Sequence, residues 1–133
     1  MNKSPALSGI HVLLVEGNHD TRRIIEVGLS QYGAFVTVVS SAQAGVVALD
    51  QMTPDVIVAD LTMPIDDGYW LIAQIRKQHR RSGGRQLPTV AVSPYGENVG
   101  RAAVAAEFDA SIARPLDVDG LCWAIQRLLD RTS

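Results

Sequence analysis

Residues 55–76 read DVIVADLTMPIDDGYWLIAQIR, and three local signals follow one another in that stretch. Asp55 to Ala59 is a short, mostly apolar run of strand length. Asp60 stands just past it, and Leu61 to Asp66, with Met63 and Pro64, has the composition of a loop. Asp67 is suited to cap a helix reaching about His79, in which Leu71, Ile72 and Ile75 fall on one inward face.

The same strand-then-helix order extends in both directions. Upstream, Phe35 to Val39 is a strand and Ala42 to about Met52 a helix, closed by Thr53 and Pro54. Before it, Ile10 to Val15 is a strand ended by Glu16, Gly17 and Asn18. Asn18 caps a helix to about Tyr32, with Ile24, Ile25, Gly28 and Leu29 on one face and Gly33 just past its end. Downstream, a polar connection over Arg80 to Gln86 leads to a strand from Leu87 to Val92, ending at Ser93. A helix over about Asn98 to Glu107, a short strand from Ala110 to Ala113 and a final helix from Asp117 to Asp130 complete the chain. The final helix turns Val118, Leu121, Cys122, Ile125, Leu128 and Leu129 to one side. Strands that are apolar throughout, rather than alternating, belong in a sheet covered on both faces. Strict β–α alternation implies a parallel sheet with right-handed crossovers, so the fold class is α/β with five strands.

Bulk properties set outer limits. A chain of 133 residues is one domain in size. Met1 to Gly9 reads as a flexible leader and residues 10–131 as the domain. With 47% hydrophobic and 20% charged residues the composition is globular, and a net charge of -2 gives no reason to expect nucleic acid or an anionic membrane as a partner. The leader has no apolar stretch of the secretory type, and no apolar run approaches the length of a span. The single cysteine, Cys122, rules out an internal disulfide. These features together lead us to expect a cytoplasmic protein. The basic stretch Arg76, Lys77, His79, Arg80, Arg81 and Arg85 is read as a helix C-terminus and solvated loop, since nothing aromatic is interleaved with it.

In open α/β sheets, ligands bind beyond the carboxyl ends of the strands. The side chains expected there are Glu16 after strand one, Asp60 after strand three, Ser93 after strand four and Arg114 after strand five. Neighbouring carboxylates repel, and a hard divalent cation such as Mg2+ relieves that repulsion. A carboxylate beside such an ion can attack a phosphoryl group, while a hydroxyl and a guanidinium stabilise the charge on its oxygens.

Four segments carry a family resemblance: VLLVEGN (12–18), residues 55–76 quoted above, LPTVAVSPYG (87–96) and EFDASIARPL (107–116). Over about Ile10 to Leu129 the chain resembles a response-regulator receiver domain of two-component signalling. The most specific element is an Asp at a strand end, Met-Pro three residues on, then Asp-Gly before a helix. The resemblance implies a flavodoxin-like, doubly wound five-stranded parallel sheet in the order 2-1-3-4-5 and phosphorylation of Asp60 by a histidine kinase or phosphotransfer protein. It further implies that Ser93 and Arg114 engage the phosphoryl oxygens. Mg2+ would be held by Glu16, Asp60 and the backbone carbonyl of Thr62. The Arg114–Pro115 bond is expected to be cis, as in the family's Lys-Pro.

The sequence also departs from the family pattern. The usual pair of acids after strand one is here Glu16 followed by Gly17, the usual strand-five lysine is Arg114, and the common aromatic switch residue is Ser111. A family-type rotamer switch through Ser111 is not expected. At the metal site three arrangements are open: Glu16 reaches the ion, Asp20 assists, or the domain binds Mg2+ weakly and works without phosphorylation. Two functions follow, a phosphorylation switch that is not a turnover enzyme, or a phosphorylation-independent pseudo-receiver acting as an interaction module. A flavin site is disfavoured, because the first loop lacks a Ser/Thr-Gly-rich cradle. Trp70 and Trp123 lie off the inward faces of their helices, and two readings of Trp123 are open: a surface for a downstream protein or a second copy of the chain, or partial burial under a neighbouring side chain.

Overall fold

A computed structural model of the chain describes residues 4–81, 83, 86–93, 99–113 and 117–132. Among them, strands and helices alternate: β1 His11–Val15, α1 His19–Gln31, β2 Phe35–Val39, α2 Ala42–Gln51, β3 Val56–Asp60, α3 Ile65–Arg81, β4 Thr89–Ser93, α4 Val99–Ala105, β5 Ala110–Ala113 and α5 Val118–Thr132. The strands form one parallel sheet in the order β2-β1-β3-β4-β5. This is the parallel α/β sheet expected from the alternation, in the doubly wound order that the resemblance implies, and the order reverses between β1 and β3.

Side chains alternate across a strand with period two, which sorts β1, β3 and β4 into two cores. Val12, Leu14, Val56, Val58, Val90 and Val92 face one side, packed with Ile25 and Leu29 of α1 and Leu121, Cys122, Ile125 and Leu128 of α5. Leu13, Val15, Ile57, Ala59 and Ala91 face the other, packed with Ala42 and Ala48 of α2, Leu71, Ile72 and Ile75 of α3, and Val104 and Ala105 of α4. Both faces are covered, so these strands are apolar along their length. The edge strand β2 is covered less well, and its Phe35 is 67% exposed.

Several expectations are corrected. Residues 5–7 are not a loose leader: Leu7 is fully buried in the α1/α5 core, and its N–H donates to Tyr32 O at 2.8 Å. Asp67 does not cap α3. The helix begins at Ile65, and the Pro64 carbonyl accepts from the N–H groups of Asp67 and Gly68. Asp66 and Asp67 lie in the first turn, where the helix dipole favours acids. Asp60 is the last residue of β3 rather than the first beyond it. Ile24 is 59% exposed, leaving Ile25 and Leu29 as the buried pair of α1. Gly28 does face inward, and a Cβ there would lie 2.2 Å from Cγ1 of Val118, so α1 and α5 meet at glycine contact distance.

Asn18 caps α1 as expected, its side chain accepting from Thr21 N at 2.9 Å. Cys122 is buried and free. Among the described residues no helix is long and apolar enough to cross a membrane.

Candidate functional site

The strand register builds the site. Val15 pairs with Ala59, so Glu16 and Asp60 follow side by side at the carboxyl ends of β1 and β3, and neighbouring strands lie about 4.8 Å apart. On its other side Asp60 pairs with Val92, and Ser93 ends β4 one residue further on, beside Ala113 of β5. Glu16, Asp60 and Ser93 are therefore brought to one edge of the sheet. They are buried to 1%, 2% and 4% exposure, unusual for carboxylates.

Backbone donors fix both acids. Glu16 Oε2 accepts from Asn18 N at 3.0 Å, and Arg22 Nη1 donates to the Glu16 carbonyl at 3.2 Å. Asp60 Oδ1 accepts from Thr62 N at 2.9 Å. The loop carrying Thr62 is tied to the sheet by Leu61 N, which donates to Val92 O at 2.9 Å. Arg114 and the Arg114–Pro115 bond lie outside the described residues, as do Pro94 to Asn98.

Glu16 and Asp60 bring carboxylate oxygens, hard donors, to the same edge of the sheet. That chemistry fits Mg2+, which commonly binds through one or two carboxylates and keeps several waters. The set is minimal. Among the described residues no group of three or more His, Cys, Asp or Glu is placed to hold a metal. A Cβ at Gly17 would meet Ser40 O at 3.5 Å, an ordinary contact. Asp20 Oδ1 lies 3.5 Å from His19 Nδ1, and its side chain is 95% exposed, turned to solvent rather than into the buried pair.

One residue at the site had no motif to reveal it. Arg101 of α4 donates through Nη1 to the carbonyls of Leu61 and Met63, at 2.7 Å in the second case. A lone arginine in a short helix gives no sequence signal of such a contact. Of the tryptophans, Trp70 is 40% exposed and Trp123 half-buried.

Comparison with known proteins agrees with this architecture. Residues 12–126 match the family model described as response regulator receiver domain. An uncharacterised 14.6 kDa protein of Leptolyngbya boryana is 31% identical over 122 residues, covering 91% of each chain. A probable transcriptional regulator of Guillardia theta, ycf27, is 28% identical over 92% of this chain, which spans 46% of that protein's length. Among solved structures, the receiver domain of the Pseudomonas aeruginosa PAO1 sensor histidine kinase PA1611 is 28% identical, with a TM-score of 0.79. The match covers 92% of this chain and 99% of that one, and that structure holds a magnesium ion in its active-site cleft.

Proposed function

Because the chain belongs to the response regulator receiver-domain family of two-component systems, we propose that it accepts a phosphoryl group on Asp60 and thereby switches a protein-binding surface. The donor is a sensor histidine kinase or a phosphotransfer protein. The observation that carries this reading is the buried Asp60 at the end of the central strand, between Glu16 and Ser93.

The step is an in-line displacement. An Asp60 carboxylate oxygen attacks phosphorus, a P–O bond forms, the P–N bond of the donor's phosphohistidine breaks, and the imidazole leaves with the electron pair and takes up a proton. Thr62 N–H holds Oδ1, so the carboxylate does not have to be oriented during the reaction. The Ser93 hydroxyl donates to a phosphoryl oxygen, and the Arg114 guanidinium offsets its charge. Mg2+ held by Glu16, Asp60 and the Thr62 carbonyl supplies further charge neutralisation when bound. The acyl phosphate carries about two negative charges at neutral pH where the carboxylate carried one, a change in charge and bulk that biases a two-state surface. We assign that surface to the last two helices, with Trp123 as its aromatic anchor for a downstream protein or a second copy. The reading places the domain in the cytoplasm.

A second reading rests on Gly17. With a glycine in place of the second acid, the fold serves as a pseudo-receiver that docks proteins without phosphorylation. Incubation with a small phosphodonor at millimolar Mg2+, followed by intact-mass measurement, separates the two. Uptake of one phosphoryl group, lost in Asp60→Asn, supports the switch; no uptake at any Mg2+ concentration supports the docking module.

A further inference from the structure

The loop after Asp60 is held from two sides. From within, Thr62 N–H donates to Asp60 Oδ1 at 2.9 Å. From outside, Arg101 Nη1 donates to the carbonyls of Leu61 and Met63, which flank Thr62. One turn further along α4, Val104 packs against Gly68 of α3 so closely that a Cβ there would lie 2.8 Å from its Cγ1. Arg101 and Val104 thus share one face of α4, which closes over the loop and the start of α3. Charge-assisted hydrogen bonds are among the stronger ones, and two from one nitrogen fix both ends of a three-residue segment.

We propose that Arg101 is a positioning residue: it pins residues 61–63 so that Thr62 N–H holds the Asp60 carboxylate ready for phosphoryl transfer, and it couples α4 to that site. The inference rests on Asp60 being the phosphoacceptor only for its effect on transfer; the pinning of the loop is independent of it. The path runs from Asp60 through Thr62 N–H and the Leu61 and Met63 carbonyls to the guanidinium of α4. A displacement of Thr62 when Asp60 changes its charge therefore reaches α4 directly. Ser111 occupies the place of the strand-five aromatic residue, and Arg101 provides a different physical link between the site and the helix surface.

Both bonds leave one nitrogen, so a lysine ammonium can reproduce them, whereas methionine keeps only the apolar stem. Amide hydrogen exchange of Thr62 is measured in wild type, Arg101→Lys and Arg101→Met, with Val12, Leu14 and Val58 as core references. Exchange at Thr62 is expected to quicken at least about tenfold in Arg101→Met and to stay within about threefold of wild type in Arg101→Lys, with the core unchanged. Phosphoryl uptake from a small donor is expected to slow about tenfold in Arg101→Met and to recover in Arg101→Lys. Equal exchange in wild type and Arg101→Met, or a lysine variant as fast as the methionine one, overturns the proposal. Should Arg101→Met fail to fold, Arg101→Gln takes its place with the same criteria. If wild type takes up no phosphoryl group, the phosphoacceptor reading fails while Thr62 exchange still decides the role of Arg101.

Discussion

Glu16 and Asp60 stand one residue beyond the Val15–Ala59 pair on adjacent parallel strands, and both side chains are buried. Two carboxylates held there repel one another unless a cation or hydrogen bonds offset the charge. Asn18 N–H and Thr62 N–H each supply one such bond. Under the proposed reading the pair receives a hard cation, and the number of acids sets how tightly one is held.

Gly17→Asp tests that dependence. The glycine has no positive φ, and its Cβ position is open except for ordinary contact with Ser40 O. The substitution adds a carboxylate whose Cβ the backbone there accepts. Mg2+ affinity is expected to rise about tenfold, which is about 1.4 kcal/mol. Isothermal titration with Mg2+ measures it, and unchanged affinity would show that the loop does not direct residue 17 toward the pair.

Gly28→Ala tests the close approach of α1 and α5. Alanine improves helix propensity by about 1 kcal/mol, but its Cβ would lie 2.2 Å from Val118 Cγ1. Overpacking of this kind costs about 1–3 kcal/mol, so the clash outweighs the propensity. A net loss of stability in urea unfolding is expected, and adding Val118→Ala should recover part of it. A stabilised Gly28→Ala single variant would contradict the packing described.

Leu7→Ala is expected to destabilise the domain by about 2–5 kcal/mol, the range for a buried leucine, because Leu7 is fully buried against the α1/α5 core. Urea unfolding gives the value. A change under about 0.5 kcal/mol, the level of an exposed site, would mean that the segment does not pack in solution.

Much of this was legible from residue patterns, and the exceptions have separate causes. Apolar runs such as Val56–Ala59 announce doubly covered strands. Leu7 was hidden because Ser4, Pro5, Ser8 and Gly9 around it have loop composition, although a single leucine suffices to anchor a segment. Asp67 was a poor guide to the start of α3, because Pro64 supplies the first carbonyl of the helix and the acids favour its first turn equally well. Ile24 has the spacing of a core residue but lies on the edge of the α1 stripe, where no neighbouring element covers it. At the site, Asp60 and Ser93 were legible because strand ends locate them. The contact of Arg101 depends on where α4 crosses the loop, which no local pattern encodes.

The Cys122 thiol gives a pH signature. Burial pushes its pKa up from 9.0 to about 11, with Asp119 and Asp117 adding to the shift. The unfolded chain loses this proton first as pH rises, so the contribution to stability is whole below about pH 9 and is lost progressively toward pH 11. Tyr32 acts in the same direction, its pKa raised chiefly by donation to Asp119 Oδ1 at 2.5 Å. Cys122→Ala should flatten the fall in stability between pH 9 and 11 seen in denaturant titrations; an unaltered slope would assign it elsewhere. At pH 8 the thiol of the folded protein should resist a disulfide reagent and react only on unfolding.

The most direct test of the phosphoacceptor locates the modified residue itself. The protein is treated with a small phosphodonor and Mg2+, the acyl phosphate is reduced with borohydride, and the peptides are sequenced by mass spectrometry. The account predicts homoserine at residue 60 and nowhere else. Reduction product at Asp66 or Asp67, or none at any Mg2+ concentration, would contradict it.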